Sequence, residues 1–363
     1  MKNIIKGDIN NESLSQMKWK GFLFTDIFTE IFIAKSSDTN ALEEGSVPFI
    51  GRTSLNNGFQ GRYNIEEEKI IKSNCITISM VGEPKAFYQN FDFACSQNIL
   101  ILRNDKILDE NNGHFLCQII DKYLMSKGYG YGYPVSLRRV KRNRLMLPVN
   151  EIEEPNWDFM ESYIKQMKYE KIVKLINYYK KRLDNSIHDF INKEIYWNEV
   201  WLEDIVEIQS GKRLTKADMK DGPRPFIGST EYNNGITAFV SNNNSSIDKN
   251  TLGVNYNGSV VESFYHPYEA VFSDDVKRIS IKNKEAQNKY NYLYLKQAIL
   301  QQKSKYQYGY KFNASRMKRQ KIMLPLDNNG QPYWEYMANY MRKIEQEKIK
   351  EIIKFLENKY SFL

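Results

Sequence analysis

YGYPVSLRRVKRNRLMLP runs from Tyr131 to Pro148, and YGYKFNASRMKRQKIMLP runs from Tyr308 to Pro325. At an offset of 177 (Tyr308 minus Tyr131), 9 of the 18 positions are identical. Outward from this pair the same offset holds. PFIGRTSLNNG (48–58) meets PFIGSTEYNNG (225–235) with 8 of 11 identical. EPNWDFMESYIKQMKYEKIVKLINYYK (154–180) meets QPYWEYMANYMRKIEQEKIKEIIKFLE (331–357) with 8 of 27 identical. Chance gives about one identity in twenty positions, so three blocks in one ungapped frame establish an internal duplication.

Each half reads as a globular part followed by a helix. The globular parts begin near Trp19 and Trp201 and end at the Leu-Pro pairs 147–148 and 324–325. Runs such as NCITISM and RISIKN are strand-like, and ENNGHFLCQIIDKYLMSK and NKYNYLYLKQAILQQK are helix-like, so the domains are mixed. From Trp157 onward, Met160, Ile164, Met167, Leu175, Ile176, Tyr179, Leu183, Ile187 and Ile191 recur at helical spacing. This predicts a helix to about Lys193, roughly 60 Å long at 1.5 Å per residue. The second copy, with Trp334, Met337, Met341, Ile344, Ile352, Ile353 and Leu356, predicts a shorter one of roughly 40 Å. A helix longer than its own domain needs a partner for its apolar stripe, and the other copy's helix is the nearest. The expected fold is α+β: two tandem globular domains related by duplication, with long helices paired as an antiparallel coiled coil. The corresponding boundaries are an N-terminal extension at 1–16, domains at 17–150 and 197–328, and helices at 151–196 and 329–363.

Charge is ordinary in amount and unusual in placement. The chain of 363 residues carries 52 Lys and Arg against 44 Asp and Glu. Residues 126–148 hold six basic residues and 303–325 hold seven, with no acid in either window, so the remainder is 39 basic against 44 acidic. Localised excess of this kind attracts a polyanion, whereas a solvated face mixes signs. The 25 Tyr and 19 Phe residues supply core and also surfaces for stacking on bases. No apolar run is long enough for a signal peptide or membrane span, and three cysteines suit reduced thiols in a prokaryotic cytoplasm.

The residues of common catalytic sites are sparse. His114, His188 and His266 have no metal-ligand spacing, and His266, beside Pro267, reads as a loop residue. The sequence holds no P-loop, no G-x-S-x-G, and no Asn/Asp-Pro-Pro-aromatic tetrapeptide of amino-methyltransferases. Glu66–Glu68 form a candidate carboxylate cluster for a nuclease, weighed against a solvated turn. A nuclease or methyltransferase with an unrecognised site, and a protein-interaction scaffold, are therefore the rival functions to DNA binding.

The two copies separate candidate roles. Tyr131 and Tyr308, Tyr133 and Tyr310, Arg139 and Arg316, Lys141 and Lys318, and Arg142 and Arg319 are shared, which suits phosphate contact or scaffold. Arg138 against Ser315, Pro134 against Lys311, Arg52 against Ser229, and Ser54 against Glu231 differ, which suits base reading. Asn57 and Asn234 lie in Asn-Asn-Gly runs, a turn signal first and a base-reading candidate second.

In this doubled order, PFIG-T--NNG, the basic stretch ending in Leu-Pro, and PNWDFM or PYWEYM resemble the specificity subunits of type I restriction–modification systems and of related fused systems. The resemblance covers Trp19 to Leu356. It implies that each domain reads one half of a bipartite, asymmetric site in double-stranded DNA, and that the helices set the spacer. It further implies two adenine-methyltransferase subunits as partners, with translocase–nuclease subunits in the restriction complex. The chain itself would be non-catalytic and hold no cofactor; S-adenosylmethionine, ATP and Mg2+ belong to the partners. The links VNEIEE and LDNNGQ depart from the commonest type I pattern and point toward variants that partner a fused restriction–methylation polypeptide.

Overall fold

The computed structural model describes residues 14–38, 42–183, 195–307 and 309–360. The chain divides into two compact units. The first comprises Met1–Asn177 with Glu357–Leu363, and the second comprises Tyr178–Leu356.

The first unit is built on an antiparallel four-stranded sheet, in the order Glu30–Ile33, Ile99–Arg103, Cys75–Ser79, Ala86–Gln89. Its central strands are apolar on both faces (Cys75, Ile76, Ile78, Leu100, Ile101 and Leu102 are buried), because both faces are covered. One face packs against the Glu110–Ser126 helix, which contributes Phe115, Leu116, Ile120 and Leu124 to the core. That helix starts where its sequence predicts: Asp109 accepts from the amides of Asn111 and Asn112, both at 2.8 Å, and satisfies two donors of the first turn. A second, three-stranded sheet (Phe59–Tyr63, Glu44–Ile50, Ala94–Cys95) contains a parallel pair. A two-stranded ribbon joins Trp19–Leu23 to Arg144–Pro148, with Leu145 and Leu147 buried.

The second unit repeats this plan. Its four-stranded sheet runs Val206–Ser210, Val276–Ile281, Thr251–Asn255, Ser263–His266. The Lys289–Leu300 helix covers it, capped by Asn288. The ribbon pairs Tyr196–Trp201 with Lys321–Leu326. Register refines the repeat: Trp19 lies opposite Pro148 and Trp197 opposite Pro325, so the counterpart of Trp19 is Trp197 and not Trp201.

The long helices are Trp157–Arg182 and Trp334–Lys359, 26 residues each. The expected difference in length is therefore corrected over the described residues, since Leu183 is already non-helical; the rest of the predicted extension, with Ile187, His188 and Ile191, lies outside them. On the second helix the buried stripe runs through Gln346, Ile349, Ile353 and Leu356, and Ile352, placed in the stripe from spacing, is exposed.

Within each unit an ion pair joins a helix to the start of the sheet-covering helix, with opposite polarity in the two copies. In the first, Lys168 Nζ lies 3.0 Å from Glu110. In the second, Glu345 lies 2.5 Å from Lys289 Nζ. Each carboxylate has a further cation from a helix end assigned to the same unit. Arg182 Nη2 donates to Glu345 at 2.8 Å, and Lys359 contributes to lowering the Glu110 pKa. Burial pushes the Glu345 carboxyl up, but Lys289, the Tyr290 hydroxyl and Arg182 outweigh it and hold the group below its usual range.

His266 ends the Ser263–His266 strand and is buried, which corrects the loop reading. Burial pushes its pKa down to about 4. Its counterpart is the buried Gln89, since Cys75 pairs with Gln89 as Thr251 pairs with His266. Glu66–Glu68 are exposed on a short 3-10 turn, with Glu66 paired to Lys69 at 2.6 Å, as the solvated-turn reading has it. Among the described residues no group of three or more His, Cys, Asp or Glu is placed to hold a metal, and no helix is long and apolar enough to cross a membrane.

Candidate nucleic-acid interface

The acid-free windows fold into the same three parts in both units: an aromatic turn, a short basic helix and the ribbon strand. The ribbon strand alternates. Leu145 and Leu147 face the core while Arg144 and Met146 face out; Ile322 and Leu324 face in while Lys321 and Met323 face out. The Leu-Pro elements thus close each core.

The short helices are Leu137–Arg142 and Ala314–Lys318. Each begins at a polar cap, Ser136 accepting from the Arg139 amide at 3.3 Å and Asn313 from the Arg316 amide at 3.0 Å. Each anchors through one apolar side chain, Val140 or Met317. One buried position per helix leaves the other faces to the cations. Arg138, Lys141 and Arg142 are exposed in the first copy, and Ser315, Lys318 and Arg319 in the second. Arg138, Lys141, Arg142 and Lys318 make no hydrogen bond or ion pair with the described residues, whereas Arg319 bonds back to Ser315.

Arg139 and Arg316 are placed differently. Arg139 donates from Nη1 to the Pro134 carbonyl at 2.8 Å and lies over the Tyr133 ring at 4.1 Å. Arg316 donates to the Lys311 carbonyl at 2.7 Å and lies over the Tyr310 ring at 3.8 Å. Tyr133 also stacks on Tyr129 (5.1 Å between centroids, 8° between planes), as Tyr310 does on Tyr306 (5.7 Å, 8°). Tyr129 and Tyr306 were missed from sequence. The signal was present, because both are tyrosines at the repeat offset, two residues upstream of the quoted windows. Tyr131 stands at the tip of its turn, 87% exposed. Tyr308 lies outside the described residues.

The positions that differ between copies collect on neighbouring loops. Ser54 Oγ donates to Glu83 at 3.1 Å, Ser79 Oγ to the Glu83 carbonyl at 3.2 Å, and the Val135 amide to the Met80 carbonyl at 3.0 Å. Loops 51–55, 79–85 and 129–135 therefore meet at one rim, with Arg52 exposed on it. In the second copy Ser229 Oγ donates to the Asn257 carbonyl. Asn255 Nδ2 donates to the Thr230 carbonyl at 3.0 Å, and Asn257 Nδ2 to Asp275 at 2.9 Å. Beneath this rim, Lys277 is buried over the Tyr256 ring at 4.2 Å and donates to Ser210 Oγ at 3.0 Å. None of Asn255, Asn257 and Lys277 was singled out from sequence.

The Asn-Asn-Gly runs are hairpin turns between paired strands, with Asn56, Asn57, Asn233 and Asn234 all at positive φ. Asn57 Nδ2 donates to Gln89 Oε1 at 3.1 Å and faces the Tyr88 carbonyl at 3.3 Å. Asn234 makes no side-chain hydrogen bond among the described residues. On the long helices, Tyr163 packs half-buried against Phe115 and Phe159, while Tyr178 and Tyr340 are exposed.

A duplicated domain that sets an acid-free basic helix and an aromatic turn beside a variable loop rim has the form of a DNA-recognition protein. The family model of the type I restriction modification DNA specificity domain matches residues 17–177 and again 194–354, and the chain belongs to that family. It is 41% identical over 337 residues, 91% of this chain and 95% of the relative, to S.BcgI, the specificity subunit of a type II restriction enzyme of Heyndrickxia coagulans. Similar solved structures include a type I restriction-modification S subunit from M. genitalium (15% identity, 96% of each chain, TM-score 0.47). Another is the HsdS subunit from Thermoanaerobacter tengcongensis (11% identity, 94% of this chain and 91% of that one, TM-score 0.33).

Proposed function

We propose that this chain is the sequence-reading subunit of a restriction–modification complex whose two globular domains each bind one half of a bipartite, asymmetric target in double-stranded DNA. The observation that carries this reading is the paired basic helix. Exposed cations recur at the same places in both copies, Lys141 with Lys318 and Arg142 with Arg319, and among the described residues both lysines lack a protein partner, beside loops that differ between copies. Shared cations neutralise phosphates irrespective of sequence, and divergent rim positions distinguish one half-site from the other. Arg52, Arg138, Ser229 and Glu231 are the base-reading candidates; Lys141, Arg142, Lys318 and Arg319 are the phosphate candidates.

The long helices set the distance between half-sites by pairing antiparallel. The ion pair between Arg182 and Glu345, one on each long helix and both within the second unit, supports this. Two adenine-methyltransferase subunits dock on the helices' outer faces, where Tyr178 and Tyr340 are exposed. The 41% identical relative is named a type II restriction enzyme subunit, which supports a partner that joins methylation and restriction in one polypeptide. S-adenosylmethionine, ATP and Mg2+ chemistry is assigned to the partners and none of it to this chain.

Methylome sequencing of cells expressing the chain with its methyltransferase tests this. A single bipartite motif with a fixed spacer is expected, lost when either domain is deleted. Absence of any discrete methylated motif attributable to the chain would overturn the proposal.

A further inference from the structure

Arg139 and Arg316 are shared by both copies, lie within the basic windows, and differ from the neighbouring cations in what they touch. Each guanidinium lies on a tyrosine ring and gives one N–H to a backbone carbonyl on the same turn. That ring is itself stacked on a second tyrosine. The turn is closed by reciprocal backbone bonds, Gly130 with Tyr133 (3.1 and 3.3 Å) and Gln307 with Tyr310 (3.2 and 2.9 Å). Its base is fixed as well. The Tyr129 hydroxyl meets that of Tyr123 at 3.3 Å, and the Tyr306 hydroxyl donates to Gln320 at 2.7 Å. A planar guanidinium suits this task, because its face stacks on an aromatic ring while its edge donates; an ammonium does only part of it.

In the first copy the turn so held carries Tyr131, flanked by Gly130 and Gly132, with no other atom within 4 Å of where a Cβ on either glycine would stand. A tyrosine 87% exposed at the tip of a turn so held, a few residues before the short helix whose Arg138, Lys141 and Arg142 make no hydrogen bond or ion pair with the described residues, has no packing role of its own. We infer that Arg139 and Arg316 are positioning residues that clamp the aromatic turns, and that in the first domain the clamped turn presents Tyr131 to the DNA. Arg139 acts through Tyr131 and not through a phosphate. This inference rests on the DNA-binding reading above.

The test uses the full chain with its methyltransferase partner and a random-sequence duplex of about 40 base pairs, titrated across a salt series. Loss of a phosphate contact lowers the slope of log affinity against log salt by about 0.9. Lys141→Ala is expected to do this. Arg139→Ala is expected to weaken binding about three- to tenfold with the slope unchanged, and Tyr131→Ala to match it. In the double variant the two losses should not multiply, since one residue works through the other. Arg139→Lys, which keeps the charge, should behave like Arg139→Ala. It guards against misfolding, as does hydrogen exchange, which should quicken over 129–135 and not in the central strands. If Arg139→Ala lowers the slope by about 0.9, or Arg139→Lys restores binding, or the losses multiply, Arg139 is a phosphate ligand and the inference fails. If the unsubstituted complex binds without salt dependence, the DNA reading itself fails first.

Discussion

Replacing Asn57 with alanine separates a turn residue from a base reader. Asn57 sits at φ 56°, in the left-handed region, where a residue with a Cβ and no polar side chain is strained by about 1 kcal/mol. Its Nδ2 also donates to Gln89 Oε1 at 3.1 Å. Gln89 is fully buried and donates in turn to the Asn57 carbonyl at 3.2 Å and to Thr77 Oγ1 at 3.1 Å. Removing the Asn57 amide leaves a buried acceptor unpaired, which costs about 1–3 kcal/mol. The sum is about 3 kcal/mol, or a fall of roughly 6–12 °C in the unfolding of a unit this size. Asn57→Gly relieves the strain and keeps only the hydrogen-bond loss. Asn234→Ala, at φ 52° without a side-chain bond, should show only the strain. Scanning calorimetry of the full chain measures all three, and hydrogen exchange over 75–89 localises the effect. If Asn57→Ala leaves thermal stability unchanged and alters the methylated motif at one base, the residue reads DNA and the turn argument is wrong.

His266 occupies the place of Gln89, and its burial holds its pKa near 4 against an ordinary 6.5. A depressed histidine stabilises the fold fully above pH 6.5, and that stability is lost as pH falls toward 4, to a total of about 3 kcal/mol. The double change His266→Gln with Gly253→Thr, which rebuilds the first copy's Gln89–Thr77 pair, should flatten the stability of the second unit over that range; an unchanged acid limb refutes this. Burial pushes the Cys75 thiol up to about 11, the Cys95 thiol up to about 12 and the Cys117 thiol higher still. Iodoacetamide at pH 8 should therefore leave all three unmodified until denaturant is added, as intact mass will show. Glu345→Gln removes the charge that holds Lys289, Tyr290 and Arg182. With the carboxylate part-exposed, the expected cost is about 1 kcal/mol, seen as faster exchange of amides 178–182.

What the sequence disclosed follows from where side-chain identity is constrained. The duplication was legible because PFIG and the Leu-Pro strands fill equivalent cores, where Phe49 and Phe226 or Leu147 and Leu324 have no room to diverge. The helices at 110 and 289 were legible as helix-like runs; their caps, Asp109 and Asn288, were not singled out. The parallel pairings of Phe49–Ile50 with Ala94–Cys95 and of Phe226–Ile227 with Val271–Phe272 were not. Strands of two or three residues carry no period, and their partners lie some 45 positions away in the chain. The clamp was hidden for a related reason. Tyr133 and Arg139 are six apart, a spacing that neither helix nor strand brings together; only the turn and the Ser136 cap do.

The difference between copies extends below the surface, which bears on how target choice is encoded. Where the first unit has Leu100 and Ile101 on its central strand, the second has Lys277 and Arg278, by common register against Ile78 and Thr77 or Val254 and Gly253. Arg278 is buried and bonded to Asp248 at 3.2 Å and to the Ser210 carbonyl at 3.0 Å. A buried charge without its partner is costly, so Arg278 depends on Asp248 and the Ser210 carbonyl, and Lys277 on the Ser210 hydroxyl and the Tyr256 ring. Lys277 and Arg278 lie on the strand next to the one that ends at Asn255, and Asn255, Asn257 and Asp275 tie together the loops that hold Ser229 and Glu231. Grafting Ser229 and Glu231 alone onto positions 52 and 54 therefore transfers side chains without the frame that aims them. If each domain reads one half-site, as proposed, the loops and the layer beneath them are expected to move together in any transfer of specificity.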